Sequence, residues 1–332
     1  MSSATDPAKP VEQARHREQW LDVARGLGII LMVHGHIVNG LAAAELLGGN
    51  WLYVNFIIYC FHMPMFFVIS GITAAHGLER GRWAFLRPKL WTVVYPYFLW
   101  SILQLMAKFA VGGAVNHPVG FDDLLAIPWK PVEQFWFLYA LALCHLFAAF
   151  VPRKLLAPAA AIAFALSFVM SGWSFRAGAH YIPFYAAGLL FSAALLRWRP
   201  RTLWLLSWAG LIVLGTIVWN IPDGYTSIPA RIAGIFGIVG TFTLAKLAAG
   251  RWQDIFVWLG QRSMTIFVLH VFTGAGIRIV LLKLGVTDAV LHYGAGMIAG
   301  LGLSVLAHIL FERLGLLRWL GLAPLARKRA AA

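Results

Sequence analysis

An all-α bundle of membrane-spanning helices is the fold this sequence predicts, on three observations. Of the 332 residues, 60% are hydrophobic and only 12% charged, and the mean hydropathy is +0.74, far from the composition of a soluble domain. The apolar runs reach the roughly 20 residues a helix needs to cross a bilayer, and they lack the alternation of an outer-membrane barrel. The basic residues are unevenly placed: assigning loops alternately from the N-terminus puts 21 of the 27 lysines and arginines on one side, the asymmetry of the positive-inside rule. Topology therefore accounts for the net charge of +14, with membrane lipids as its partner, and argues against nucleic acid.

About ten spans are expected, at 22–43, 52–77, 91–112, 134–151, 155–171, 181–197, 202–220, 229–248, 256–282 and 289–311, with both termini cytoplasmic. They define a membrane domain over 22–312 between a cytoplasmic N-terminal tail, 1–21, and a basic cytoplasmic C-terminal tail, 313–332. The polar N-terminus has no small-residue cleavage site after a short apolar core and reads as a retained tail. Cys60 and Cys144 lie within apolar runs and give neither a disulfide framework nor a metal knuckle. No metal or prosthetic group is expected.

The first span, DVARGLGIILMVHGH over 22–36, carries Arg25 and, eleven positions on, His36. In a helix that offset is about three turns and roughly 16 Å, so the two share a face at different depths. His34 points elsewhere, and Asp22 lies one turn before Arg25 as its partner. An ionisable group within a span is costly and marks a functional site by default.

In the second span, FHMPMFFVISG over 61–71 holds Pro64, which frees a carbonyl and kinks a helix. A cavity is expected there, with His62 near the midplane and Ser70 and Gly71 in the cytoplasmic third; a kinked helix with a hydrogen-bonded histidine reads equally well. The next loop holds Arg80, Arg82, Arg87 and Lys89. Topology alone explains them, while an anionic ligand arriving from the cytoplasm would use them.

The longest exoplasmic loop, about 113–133, contains Asp122, Asp123 and Glu133. Trp129 and Trp136 suit either an interfacial aromatic belt or stacking on a sugar face. The long ninth span is expected to tilt or break around Gly274 and Gly276. It puts Ser263 and His270, seven residues apart, on one face.

Five of these stretches, 22–36, 61–71, YPYFLW at 95–100, FWFLYAL at 135–141 and LGQRSMTIFVLH at 259–270, occur in an order that resembles the acyltransferase-3 superfamily, and within it the branch of bacterial fucose 4-O-acetylases. The resemblance carries the family's arginine and histidine onto Arg25 and His36, and its later features onto His62, Ser70, Gly71, Ser263 and His270. Where the family often has two arginines, this chain has Trp91 and Thr92, with Arg87 and Lys89 upstream.

The resemblance implies a multi-pass enzyme of the bacterial inner membrane that transfers an acyl group, usually acetyl, from cytoplasmic acetyl-CoA or another acyl-CoA to a glycan hydroxyl. Arg25 would orient the donor's phosphates. His36 would act as general base on the acceptor hydroxyl or carry the acyl group itself. Charge on the thioester oxygen would need donors, for which Ser70, Ser263 and His270 are candidates. The alternative class is a transporter or flippase of a lipid-linked sugar or small amphiphile. It would be favoured by inverted repeats, which the sequence does not show, and a proton-coupled carrier by a mid-membrane carboxylate, whereas Asp and Glu sit at span ends and in loops. The sequence is silent on oligomeric state.

Overall fold

The computed structural model describes residues 8–112, 120–170, 173–199, 203–222, 224 and 227–323. Among these there are helices and turns and no strand, as composition requires: in hydrocarbon a helix satisfies its own backbone. In order they are α1 (Ala8–Ala43), α2 (Asn50–Leu78), α3 (Arg82–Lys89), α4 (Tyr95–Val111), α5 (Phe121–Ala126), α6 (Trp136–Phe150), α7 (Leu156–Leu166) and α8 (Trp173–Leu190). There follow α9 (Ser192–Arg197), α10 (Leu203–Trp219), α11 (Ile228–Leu247), α12 (Gly250–Gln261), α13 (Ser263–Lys283), α14 (Ala289–Ile298) and α15 (Ser304–Arg313).

The expected ten spans resolve differently. Among the described residues, seven helical stretches are long and apolar enough to cross a membrane: Gln19–Ala43, Asn50–Leu78, Arg82–Ala110, Glu133–Phe150, Ile228–Leu247, Ser263–Lys283 and Ala289–Arg313. The fifth to seventh expected spans form as helices, but α7 has 11 residues and α10 has 17. α8 carries Arg176, His180 and Pro183, which dilute its hydropathy. The ninth does not break at its glycines. α13 is helical through both Gly274 and Gly276, and the chain instead breaks at Arg262, separating α12 with its charged Arg251 and Asp254 from the apolar α13. α1 begins at Ala8, within the stretch read as a tail. Residues 113–119 of the long loop with His117, Arg201, and the basic cluster Arg327 to Arg329 lie outside the described residues.

Two π-helical turns, Leu90–Val94 and Ala299–Leu303, interrupt the α3/α4 and α14/α15 rods. The first directly precedes Tyr95-Pro96, where the missing proline N–H leaves a carbonyl without its ordinary partner. α2 accommodates Pro64 within unbroken helix.

The chain forms two compact units. The first comprises the described residues up to Gly35, Gly49–Phe66 and Ala193–Ser263; the second comprises His36–Gly48, Phe67–Ser192 and the described residues from Met264 onward. In the first, a Cβ at Gly260 would lie 1.9 Å from the Asp22 carbonyl oxygen, so the end of α12 meets α1 backbone to backbone. Lys246 closes the far end of α9, donating to the carbonyls of Leu195 and Trp198 at 2.7 Å each with its ammonium over the Trp20 ring.

In the second unit α2 and α8 cross at Gly71 and Gly188, whose added Cβ atoms would each lie 2.1 Å from a carbonyl oxygen, of Tyr185 and Val68 respectively. The segment after α15 is fastened to the start of α4: Tyr95 Oη donates to Trp319 O at 2.6 Å and Trp100 Nε1 to Leu320 O at 3.0 Å. In the loop before α6, the Gly120 N–H and then Lys130 hold the Asp123 carboxyl below its ordinary range.

Candidate active site

α1 ends, α4 ends, α6 begins, α13 enters its last third and α14 begins at one end of the second unit. They enclose a cavity of about 330 Å³ lined by His36, Asn39, Lys108, Glu133, Trp136, His270, Arg278 and His292 among others. So many ionisable groups in a chain of this hydropathy need a functional explanation.

His36 and His270 meet there edge to face, with ring centroids 4.9 Å apart. His270 has no solvent exposure, and its Nδ1 lies 2.8 Å from Phe267 O and 3.1 Å from Ile266 O. Carbonyl oxygens only accept, so Nδ1 carries the proton and Nε2 keeps its lone pair. Nε2 is buried without a hydrogen-bond partner among the described residues. Neutral His270 can therefore take a proton and cannot donate one to an oxyanion from that nitrogen, which narrows the role the sequence suggests for it. His292 shows the reverse arrangement. Its Nε2 donates to Val286 O at 2.9 Å, and its buried Nδ1 has no partner among the described residues.

Glu133 stands at the rim with a left-handed φ of 40°, a conformation costing a non-glycine residue about 1–3 kcal/mol. Its side chain explains why it persists. One carboxylate oxygen accepts from Lys108, and the other accepts from Gln104 Nε2 at 2.5 Å. Gln104 and Gln134, 3% and 2% exposed, donate to one another at 2.6 and 3.3 Å. This network holds the carboxylate in one place.

Trp136 is fixed by stacking on Tyr181 at 5.3 Å and on Phe67 at 6.5 Å between centroids. Arg278 lines the cavity beside Gly40, where a Cβ would lie 2.2 Å from its Nη1.

Residues 18–309 match the family described as the acyltransferase domain, acyltransferase-3. The chain belongs to this acyltransferase-3 family. Two relatives are each named nodulation protein NolL. That of Mesorhizobium japonicum is 26% identical over 210 residues, 60% of this chain and 54% of the relative. That of Sinorhizobium fredii is 34% identical over 146 residues, 41% of this chain and 38% of the relative. The chain thus spans about half the length, or less, of the curated relatives it matches. No solved structure matches it.

Of the residues singled out in this acyltransferase-3 sequence, the structure brings His36, His270 and Trp136 together. Asp22 and Arg25 pair at 2.5 Å on α1 within the first unit. His62 lies in that unit too, its Nδ1 donating to Ile58 O at 2.9 Å. Ser263 opens α13. Ser70, on α2, and Arg87 and Lys89, on α3, lie outside the cavity lining; Arg87 is exposed, and Lys89 sits 5.4 Å over the Phe85 ring. Sequence reasoning passed over Glu133, Lys108, Arg278, His292 and the two glutamines. A signal existed for two of them, since Lys108 and Arg278 belong to the minority of cations placed on the exoplasmic side, where topology does not call for them.

Proposed function

We propose that this acyltransferase-3 protein moves an acyl group, acetyl first among them, from cytoplasmic acyl-CoA to a hydroxyl of a cell-surface or exported glycan. The pairing of His36 with a lone-pair-bearing His270 in a polar cavity carries this reading. In the proposed step the acceptor oxygen attacks the thioester carbonyl carbon while His36 takes the hydroxyl proton. The C–S bond then breaks, and the CoA thiolate leaves and is protonated to the free thiol. A neutral imidazole suits this role at cellular pH. Arg25, set by Asp22, would hold the donor's phosphates. The His36–His270 contact also favours a second route, in which His36 attacks the thioester carbon and gives its proton to His270, the C–S bond breaks with CoA leaving as the thiol, and the acceptor hydroxyl then displaces His36 from the acyl-histidine as it loses its proton.

The setting proposed is a multi-pass protein of the bacterial inner membrane whose N-terminal side faces the cytoplasm. Glycan labelling in oriented vesicles tests the reading. Labelled acetyl-CoA added to inside-out vesicles is expected to label a glycan, and right-side-out vesicles are expected not to. Label entering only from the outside overturns the sidedness. Equal label with wild type and with His36→Ala overturns the chemistry.

A further inference from the structure

Gly274 and Gly276 serve different purposes on α13. A Cβ at Gly274 would lie 2.5 Å from Ile37 Cδ1, so this glycine faces the end of α1. A Cβ at Gly276 would meet nothing within 4 Å. The open space beside it is a second cavity of about 130 Å³ between α4 and α13, walled by Ala107, Phe272 and Gly276. Lys108, Val271, Ala275 and Ile279 line both this groove and the cavity that holds His36 and His270. The two spaces therefore lie side by side along these residues. On either side of Ala107 along α4, Met106 and Phe109 are 57% and 44% exposed, as side chains facing lipid would be.

We propose that this groove holds the hydrocarbon chain of the acceptor, so that the acceptor is a lipid-linked glycan whose sugar occupies the polar cavity. The inference rests on the acyl-transfer reading and adds the acceptor's class to it. A polar chamber lying against an apolar groove matches an amphiphile, with the paired Lys108 in the wall common to both. The unpartnered, fully buried Nε2 of His270 marks the chamber as the reacting end. The groove and the chamber share α13 from Val271 to Ile279, so the groove lies beside the chamber at the same depth. Lipid is as apolar as the groove, so seating the chain contributes little affinity. What it supplies is orientation of the hydroxyl.

The test uses the full chain in lipid nanodiscs with a dodecyl glucoside bearing a diazirine in its alkyl chain. Cross-links are expected on residues 104–108 and 271–279. Excess unmodified dodecyl glucoside should displace them, whereas methyl glucoside and dodecanol should not. Gly276→Phe, which fills the groove, is expected to cut this labelling about tenfold or more, and Gly276→Ala to leave it. Ala107→Phe fills the groove from the opposite wall and serves if Gly276→Phe does not fold. His36→Ala should keep the cross-links while losing acetyl transfer, so the groove and the chemistry can fail separately. Labelling spread evenly over lipid-facing helices, or undiminished in the filled variants, overturns the proposal. Displacement by palmitoyl-CoA and not by dodecyl glucoside also overturns it, by giving the groove to the donor.

Discussion

His36 and His270 stand 234 positions apart in sequence and 4.9 Å apart between ring centroids, edge to face. Only one of the two has its protons fixed by the backbone. α13 holds the His270 Nδ1 proton on its own carbonyls, which leaves Nε2 free to receive a proton. His36, half-buried, is open to whatever enters the cavity. In the proposed reading His36 is the ring that would meet substrate, with the lone pair of His270 Nε2 behind it.

Replacing His36 with alanine is expected to lower acyl transfer about 10²- to 10⁴-fold, the usual contribution of a positioned base, while the protein still inserts and purifies as wild type. His34→Ala should act differently. His34 is 8% exposed within the first unit, so its loss should lower thermal stability and leave the activity per folded molecule within a few-fold of wild type. Transfer assays normalised to folded protein, run beside melting curves, separate the two variants.

His270→Asn should keep a side-chain N–H near the Phe267 carbonyl while removing the acceptor at Nε2. Normal melting is expected, with kcat reduced on the order of 10²-fold and the donor KM nearly unchanged. A rise in KM alone would reduce His270 to packing.

Much of this was legible in the sequence, for physical reasons that also mark where legibility ends. Hydropathy and charge asymmetry reveal the bundle because lipid imposes them on every span. Helical spacing isolates His36 from His34, since a 100° step per residue is a local property. The His36–His270 contact is long-range, and although spacing and the resemblance each single out His270, no cue in the sequence sets the two rings facing each other. Glu133 could not be found at all. It reads as a loop acid, and its importance comes from Lys108 and Gln104 on another helix and from a left-handed backbone that nothing in the local sequence announces. Proline and glycine misled in the opposite direction. Pro64 and Gly276 read as breaks, yet helix continues through both, while the actual break falls at Arg262, a position nothing in the local hydropathy singles out.

Glu133→Gly separates strain from chemistry. Glycine adopts a φ of 40° freely, recovering about 1–3 kcal/mol. Against this stand two lost hydrogen bonds to a charged group, each about 1.5–3 kcal/mol before discounting for partial exposure. Lost bonds should win by a small margin, giving a melting temperature a few degrees lower. Transfer should fall well beyond that, because Lys108 and Gln104 lose their anchor at the cavity rim. Glu133→Gln keeps the shape and one acceptor and is expected to lie between the two in both measurements.

Two alanines at glycine positions should give opposite signs. At Gly276 the new methyl enters open space, and alanine's better helix propensity is expected to raise stability by up to about 1 kcal/mol. At Gly260 the methyl would lie 1.9 Å from the Asp22 carbonyl oxygen. Backbone cannot rotate away as a side-chain tip can, so α1 or α12 must shift, at a cost of about 1–3 kcal/mol. That shift falls on the turn bearing Asp22 and its partner Arg25, 2.5 Å away. If Arg25 holds the donor, Gly260→Ala should raise the acyl-CoA KM several-fold in addition to lowering the melting temperature, whereas Gly276→Ala should leave the acyl-CoA KM as it is. A Gly260→Ala protein that melts early yet keeps its wild-type donor KM would detach Arg25 from donor binding.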